Sequence, residues 1–438
     1  MIDLIVTNAV VVSADAKGTV IGKGGVAVSK GRITHVAPAE ALAEMQGQAA
    51  RVVDGSGMLL MPGLINAHCH AASTLNRGLV EDLKLEPWLQ TVWKAEAATL
   101  NPKTTHLGSV LGFAEQLLGG VTTVMDMFWH PHDTVQAGRD VGVRVSTGGI
   151  FFDYPGPTGE DHAIRLRKAE VFFETFKGDE DVFAAAMPHG TYTVSPEHLK
   201  DARALARKYD ALFCTHVAET MAEQATVIER YGRRIVEHME AYGLVDDRSV
   251  FAHCVHLEDE EIVMLAERGA TAVHNPLSNL KLASGFARVP EMLDAGINVA
   301  LGTDGAVSGN DLDMWLALRL AATIHKAVTL DATVVTTKQA LAMATLNGAK
   351  ALNAADRIGS LEVGKFADMV LLDLRRPHAV PMFDPLTHLV YSANKSDVRH
   401  VFLGGEQVVR DGKLTRLDIA DTLAEVEALM PAIRASIA

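Results

Sequence analysis

The stretch PGLINAHCHAASTLNRG, residues 62–78, reads as an apolar β-strand that ends in His68-Cys69-His70. Side chains at i and i+2 of a strand leave on the same face. His68 and His70 can therefore converge on one point while Cys69 faces away. A metal ion is a natural occupant of such a point, although His-x-His alone also occurs in plain loops. The chain on either side has to decide between these readings.

Eight short apolar or β-branched runs follow one another from this stretch onward: LINAHCH, GVTTVMDM, GVRVSTGGIF, DVFAAAMPHG, ALFCTHVAE, SVFAHCVH, ATAVHNP and INVALGTDG. Helical stretches separate them. Asn101-Pro102 and Ser195-Pro196 carry the N-cap and N1 signals of helix starts. Strict alternation implies a parallel sheet, and eight units imply an α/β fold, a closed (β/α)8 barrel of the TIM type, over residues 61–357. Residues 1–60 and 358–415 instead show short β segments with turns at Lys30-Gly31 and Asp411-Gly412. The two ends are predicted to meet in one small β-sandwich. Residues 416–438 place apolar residues at helical spacing and predict a C-terminal helix.

A chain of 438 residues exceeds the usual single domain. A formal net charge of −14 argues against nucleic acid or anionic membranes as partners. Cys69, Cys214 and Cys254 form no paired framework, which points to a reducing compartment, the cytoplasm. The opening MIDLIVTNAVVVSADAKG reads as strands with no basic leader. No apolar run reaches the ~18 residues that a membrane span requires.

In such barrels the chemistry sits at the C-terminal strand ends. Of eighteen histidines, six fall there: His68, His70, His189, His216, His253 and His274. Glu219 follows His216 by three residues, and Asp304 ends the eighth run. Imidazole nitrogens and a carboxylate suit zinc or a similar divalent ion. Such an ion brings the pKa of a bound water to about 7, and Glu219 is placed to shuttle protons beside it. His130 and His132 form a second His-x-His, but Pro131 between them breaks strand geometry. His274 would serve as a ligand in a two-metal variant, yet the fourth run ends without the bridging Lys that such a variant needs. Asp126 reads as a structural acceptor. His198, His238 and His325 fall on predicted helices, Cys214 and Cys254 read as core, and Arg165, Arg167 and Lys326 as exposed.

Six motifs in order resemble the amidohydrolase superfamily, specifically its hydrolytic deaminase branch. They are PGLINAHCH (62–70), MPHGTYTVSP (187–196), THVAET (215–220), AHCVHL (252–257), HNPLSNLKL (274–282) and LGTDGA (301–306). They are similar to motifs of the methylthioadenosine/S-adenosylhomocysteine deaminases and of the s-triazine hydrolases. The resemblance implies one divalent metal, zinc first, with iron or manganese also suited to the ligands. It implies His68, His70, His216 and Asp304 as those ligands, Glu219 as proton carrier, and His253 as the group that orients the attacking water. It places His189 and Asn279 along the substrate pocket and Trp88 on a loop that covers it. Glu96 matches the acid that holds ribose hydroxyls, shifted by one residue, with Ala97 at the expected place. Where relatives carry an Arg after the third strand, this chain reads STGGIFFDY.

The implied activity is that of a hydrolase acting on carbon–nitrogen bonds, a deaminase that releases ammonia from an amino-substituted N-heterocycle. An adenosine-type nucleoside such as methylthioadenosine, or a purine or pterin base, is the expected substrate. The alternatives are amino- or chlorohydrolysis of an s-triazine and cyclic amide hydrolysis. A non-enzymatic structural module is disfavoured by the full ligand set. The expected partners are the heterocycle, water and further copies of the chain in a homo-oligomer.

Overall fold

A computed structural model describes residues 2–437. The strands of the barrel are Leu64–His70, Val121–Asp126, Arg144–Phe151, Val182–Pro188, Leu212–Val217, Ser249–His253, Thr271–His274 and a split eighth. Each pairs in parallel with the next, as in Thr123↔Arg144, Cys214↔Val250 and Val273↔Ala300. The eighth run gives two short strands. Asn298–Leu301 pairs with the seventh strand, and Asp304–Gly305 pairs with Cys69 and His70 of the first. The sheet therefore closes on itself, as the alternation predicts. Gly302 lies at the break. A Cβ there would sit 2.4 Å from Asn275 Oδ1 and 2.9 Å from His68 Cβ, so no side chain fits. Ile65, Met125, Phe183, Cys214, Val250, Val273 and Ala300 share one apolar cluster, so the barrel interior is packed rather than open.

Both chain ends build a second sheet of nine strands. Its path runs from Lys413–Leu414 through Val398–Leu403, Met369–Asp373, Met58–Pro62 and Leu4–Val12 to Arg32–Pro38. The expected sandwich is one continuous sheet curled over. Val28 and Ile33 share a core cluster with Met369 and Phe402 from the other half. The Ala367 amide donates to Gly31 O at 2.9 Å across the same seam.

Met58–Pro62 passes into the first barrel strand through Gly63 alone. A Cβ at Gly63 would lie 2.0 Å from Thr122 Oγ1, so this junction requires glycine. Arg144, at the start of the third barrel strand, bridges the two bodies. Its Nε and Nη2 donate to Asp368 at 2.9 and 3.2 Å, with both side chains buried.

Asn101 caps Pro102–Leu118 as predicted, accepting from the Thr104 amide in a full capping box. Ser195 makes no side-chain cap on Pro196–Lys208. Its amide donates instead to Asp153 Oδ2 at 2.7 Å, tying two loops together. The C-terminal helix, Ile419–Ser436, lies on the helices Leu85–Thr99 and Pro102–Leu118. Its Ile433 packs in a cluster with Leu75, Leu100, Trp129 and Phe152.

Candidate functional site

Four predicted ligands from three parts of the barrel meet at one point. His70 Nε2 stands 3.2 Å from Asp304 Oδ1 and 3.3 Å from His216 Nε2. His68 Nε2 is 3.5 Å from Asp304 Oδ1. His68 is fully buried, and neither of its ring nitrogens has a hydrogen-bond partner. An orphaned buried polar group costs about 1–3 kcal/mol, which a cation between these donors would remove.

The tautomers suit that cation. His70 Nδ1 donates to Met127 O and His216 Nδ1 to His189 O, both at 2.6 Å. A carbonyl can only accept, so in the neutral ring each Nε2 is the nitrogen left with a lone pair facing the centre. Burial pushes His68 down to about 4 and His216 well below the ordinary range, so both are neutral donors. Burial also opposes charge on His70 and Asp304, but their mutual attraction wins. Asp304 is held well below the carboxylate range and His70 is raised to about 9. In the absence of an ion this pairing favours a proton on His70 Nε2 facing Asp304, and a cation bound there would displace it. Three imidazoles and a carboxylate fit a divalent ion such as zinc.

Asp304 is fixed from its other side. Ser278 and Ser308 donate to its Oδ2 at 2.6 and 2.8 Å. Sequence reading missed both, although each lies in or just after a quoted motif. His253 and Asp304 adopt left-handed backbone, with φ of 76° and 60°. Such a conformation costs roughly 1–3 kcal/mol per residue and here turns both side chains into the centre.

Glu219 and His253 sit beside the cluster. His253 Nδ1 donates to Asn279 Oδ1 at 2.9 Å, which leaves Nε2 3.7 Å from Glu219 Oε2. Burial raises the Glu219 carboxyl above its ordinary range, although the neighbouring His253 pulls the other way. Asn279, expected along the pocket, is 1% exposed and reaches the site only through His253.

The cluster opens into a cavity. Trp88, Trp93 and Glu96 from the helix Leu85–Thr99 line it, with His189 and Phe152 opposite. His189 stacks on Phe152 at 4.6 Å between ring centroids and bonds Thr193 Oγ1 through Nδ1 at 2.9 Å. Glu96, although one residue out of the expected register, faces the cavity. Burial pushes it up to about 7, against the pull of His70 and of a bond from the Trp129 side chain. The indole of Trp88 is buried with its N–H unpaired.

Other expectations resolve differently. His274 Nε2 faces His325 Nε2 at 3.2 Å and belongs to neither of two overlapping ligand clusters among the described residues, His68 with His70 and His216, and His68 with His253 and Asp304. His130 and His132 line a separate cavity. Asp126 accepts from the Ala71 amide, as a structural acceptor would. Arg165, expected to be exposed, is buried. Its guanidinium donates to Phe152 O, Tyr154 O and Pro155 O, which form the loop that carries part of the cavity wall. His238 and His325 are buried too.

A barrel with such a centre at its strand ends, and a buried carboxyl raised above its ordinary range next to it, is a hydrolase of the metal-dependent kind. The chain belongs to the amidohydrolase family, which residues 59–408 match. A 5-methylthioadenosine/S-adenosylhomocysteine deaminase of Syntrophobacter fumaroxidans is 41% identical over 99% of this chain and 98% of its own length. The crystal structure of an adenosine deaminase from Xanthomonas campestris with bound zinc superposes with a TM-score of 0.96, at 37% identity, over 99% of both chains. Atrazine chlorohydrolase from Arthrobacter aurescens, complexed with zinc, superposes with a TM-score of 0.91, at 25% identity, over 98% of this chain and 100% of its own.

Proposed function

We propose that this chain is a zinc-dependent aminohydrolase that converts an adenosine-type nucleoside to its inosine counterpart and ammonia. The observation that carries the reading is the buried Glu219 carboxyl, raised by burial and set beside His253 next to the His/Asp centre. His68, His70, His216 and Asp304 would hold one ion. Bound there, it would acidify a water and polarise it for attack.

The chain's own groups supply the rest. His253, fixed as the Nε2 acceptor by Asn279, orients the water over the ring carbon that bears the amino group. Asp304 Oδ1 takes the water's proton. Glu219 gives its proton to the adjacent ring nitrogen as the new carbon–oxygen bond forms. Glu219, now a carboxylate, takes the hydroxyl proton as the carbon–oxygen bond becomes a carbonyl, and Asp304 passes the water's first proton to the amino group, which leaves as ammonia. Glu96 accepts from ribose hydroxyls, His189 holds the base from the opposite wall, and Trp88 and its helix keep bulk water out.

A triazine would use the same centre. The nucleoside reading is preferred because Glu96, a carboxyl aimed into an aromatic wall, has no hydroxyl to bind in a triazine. Three buried free cysteines fit a reducing cytoplasm. The exposed Phe383 and Val380 fit self-association. The test is ammonia release by zinc-loaded protein offered adenosine, methylthioadenosine, guanine, a pterin and an aminotriazine. Turnover confined to the nucleosides is expected, and turnover confined to the triazine would reverse the assignment.

A further inference from the structure

Away from the metal centre, the cavity wall offers no cationic side chain among the described residues. Among the described residues its lining carries Glu96, Glu219 and Asp304, and no Lys or Arg. Tyr192 in the same wall also feels Glu86 and Glu223. Three cations near the cavity are engaged elsewhere. Arg230 donates to Tyr192 O at 3.0 Å, and Lys281 pairs with Glu81 at 2.7 Å. Arg165 is held by three backbone carbonyls, with its guanidinium 5.2 Å from the Trp129 ring centroid. Much of the remaining wall is apolar or aromatic, including Val92, Trp93, Phe152 and Val307.

We propose that the site selects nucleosides whose 5′ substituent is short and uncharged, and rejects a substituent that ends in a carboxylate. This rests on the nucleoside reading given above. A carboxylate at the end of the 5′ substituent, brought against the wall away from the metal centre, would lose water, meet no Lys or Arg, and lie in the same cavity as Glu96. An unpaired buried charge of this kind is strongly disfavoured. The chain would then part from the second substrate in the name of its Syntrophobacter relative.

The test uses the zinc-loaded full chain and measures kcat/KM for methylthioadenosine, 5′-deoxyadenosine, S-adenosylhomocysteine and the carboxamide of S-adenosylhomocysteine. The carboxamide keeps the length of the tail and removes its negative charge. S-adenosylhomocysteine should fall about 100-fold below its carboxamide. Calorimetry on metal-free protein should show the same order for the deaminated products. Leu89→Arg, which puts a guanidinium in the lining, should narrow the gap at least tenfold. If that variant does not fold, the carboxamide comparison still decides. S-adenosylhomocysteine within tenfold of its carboxamide would overturn this inference and leave the nucleoside reading intact. Silence toward every nucleoside would overturn both.

Discussion

Glu219→Gln isolates the proton-transfer step. Glutamine has the same shape, and burial shifts Glu219 toward its neutral form, so a neutral amide suits the same surroundings. Ser284 Oγ, 3.4 Å from Glu219 Oε1, keeps an acceptor. The Glu219 amide keeps its bond to Glu223 at 2.8 Å. Stability should therefore change by less than about 1 kcal/mol. No neighbour can take over the role. Asp304 is held well below the carboxylate range and has no proton to give. Glu223 is pushed up to about 8 by burial, but its carboxyl is turned to backbone amides and does not line the cavity. General acid–base catalysis contributes about 10²–10⁴-fold, or roughly 3–5.5 kcal/mol of barrier. With no substitute present, the loss in kcat should lie at the upper end. The assay is the ultraviolet change as the amino-purine becomes the oxo-purine, with zinc measured per chain in parallel. Full zinc with kcat within tenfold of the wild type would refute the role. Loss of zinc together with activity would show that Glu219 acts on the metal instead.

Ser278→Ala with Ser308→Ala removes both donors to Asp304 Oδ2, and zinc affinity measured by chelator competition should fall about 10–100-fold. Stripping the metal should abolish turnover and lower Tm, because an ion at 100 times its Kd stabilises the fold by about 2.7 kcal/mol; an unchanged Tm would count against a folded-state site. Glu96, raised to about 7, is neutral below that pH and ionised above it, so KM for a nucleoside should fall as pH rises through about 7 and Glu96→Gln should flatten the profile. Arg144→Met leaves Asp368 buried without its partner and should cost about 3–5 kcal/mol in denaturant unfolding, whereas adding Asp368→Leu should recover most of it.

Much of this site was legible because a barrel converts sequence order into a spatial ring. Once the eight runs are recognised, whatever ends each run lands on one face, and His68, His70, His216, His253 and Asp304 gather there without further information. Residues that act through another side chain left no such trace. Ser278 and Ser308 lie on short helices past the strand ends, and only the folded chain shows both hydroxyls on one carboxylate oxygen. Asn279 matched a pocket position by motif, yet burial places it behind His253. Arg165 read as exposed because a charged residue on an amphipathic helix usually is. The carbonyls of a neighbouring loop, invisible to periodicity, draw it inward. The split eighth strand was hidden for the same reason. Gly302 marks it, but the clash that demands glycine involves Asn275 and His68, far away in sequence.

The orienting bonds show why closure of the barrel and assembly of the centre are one event. His70 on the first strand is aimed by the carbonyl of Met127, just past the second. His216 on the fifth is aimed by the carbonyl of His189, just past the fourth. Asp304 reaches its partners only because the broken eighth strand pairs with the first. A one-residue slip in any of these pairings would turn a side chain to the opposite face and also remove the acceptor that fixes its neighbour's tautomer. The polar groups at the centre therefore become compatible with one another only when the ring is complete. An ion bound there favours the closed barrel over every partly open form that lacks one of its ligands. Metal affinity and local opening of the first and eighth strands should then move together, so hydrogen exchange at the amides of 66–70 and 303–305 should slow on zinc loading more than exchange in the nine-stranded end sheet.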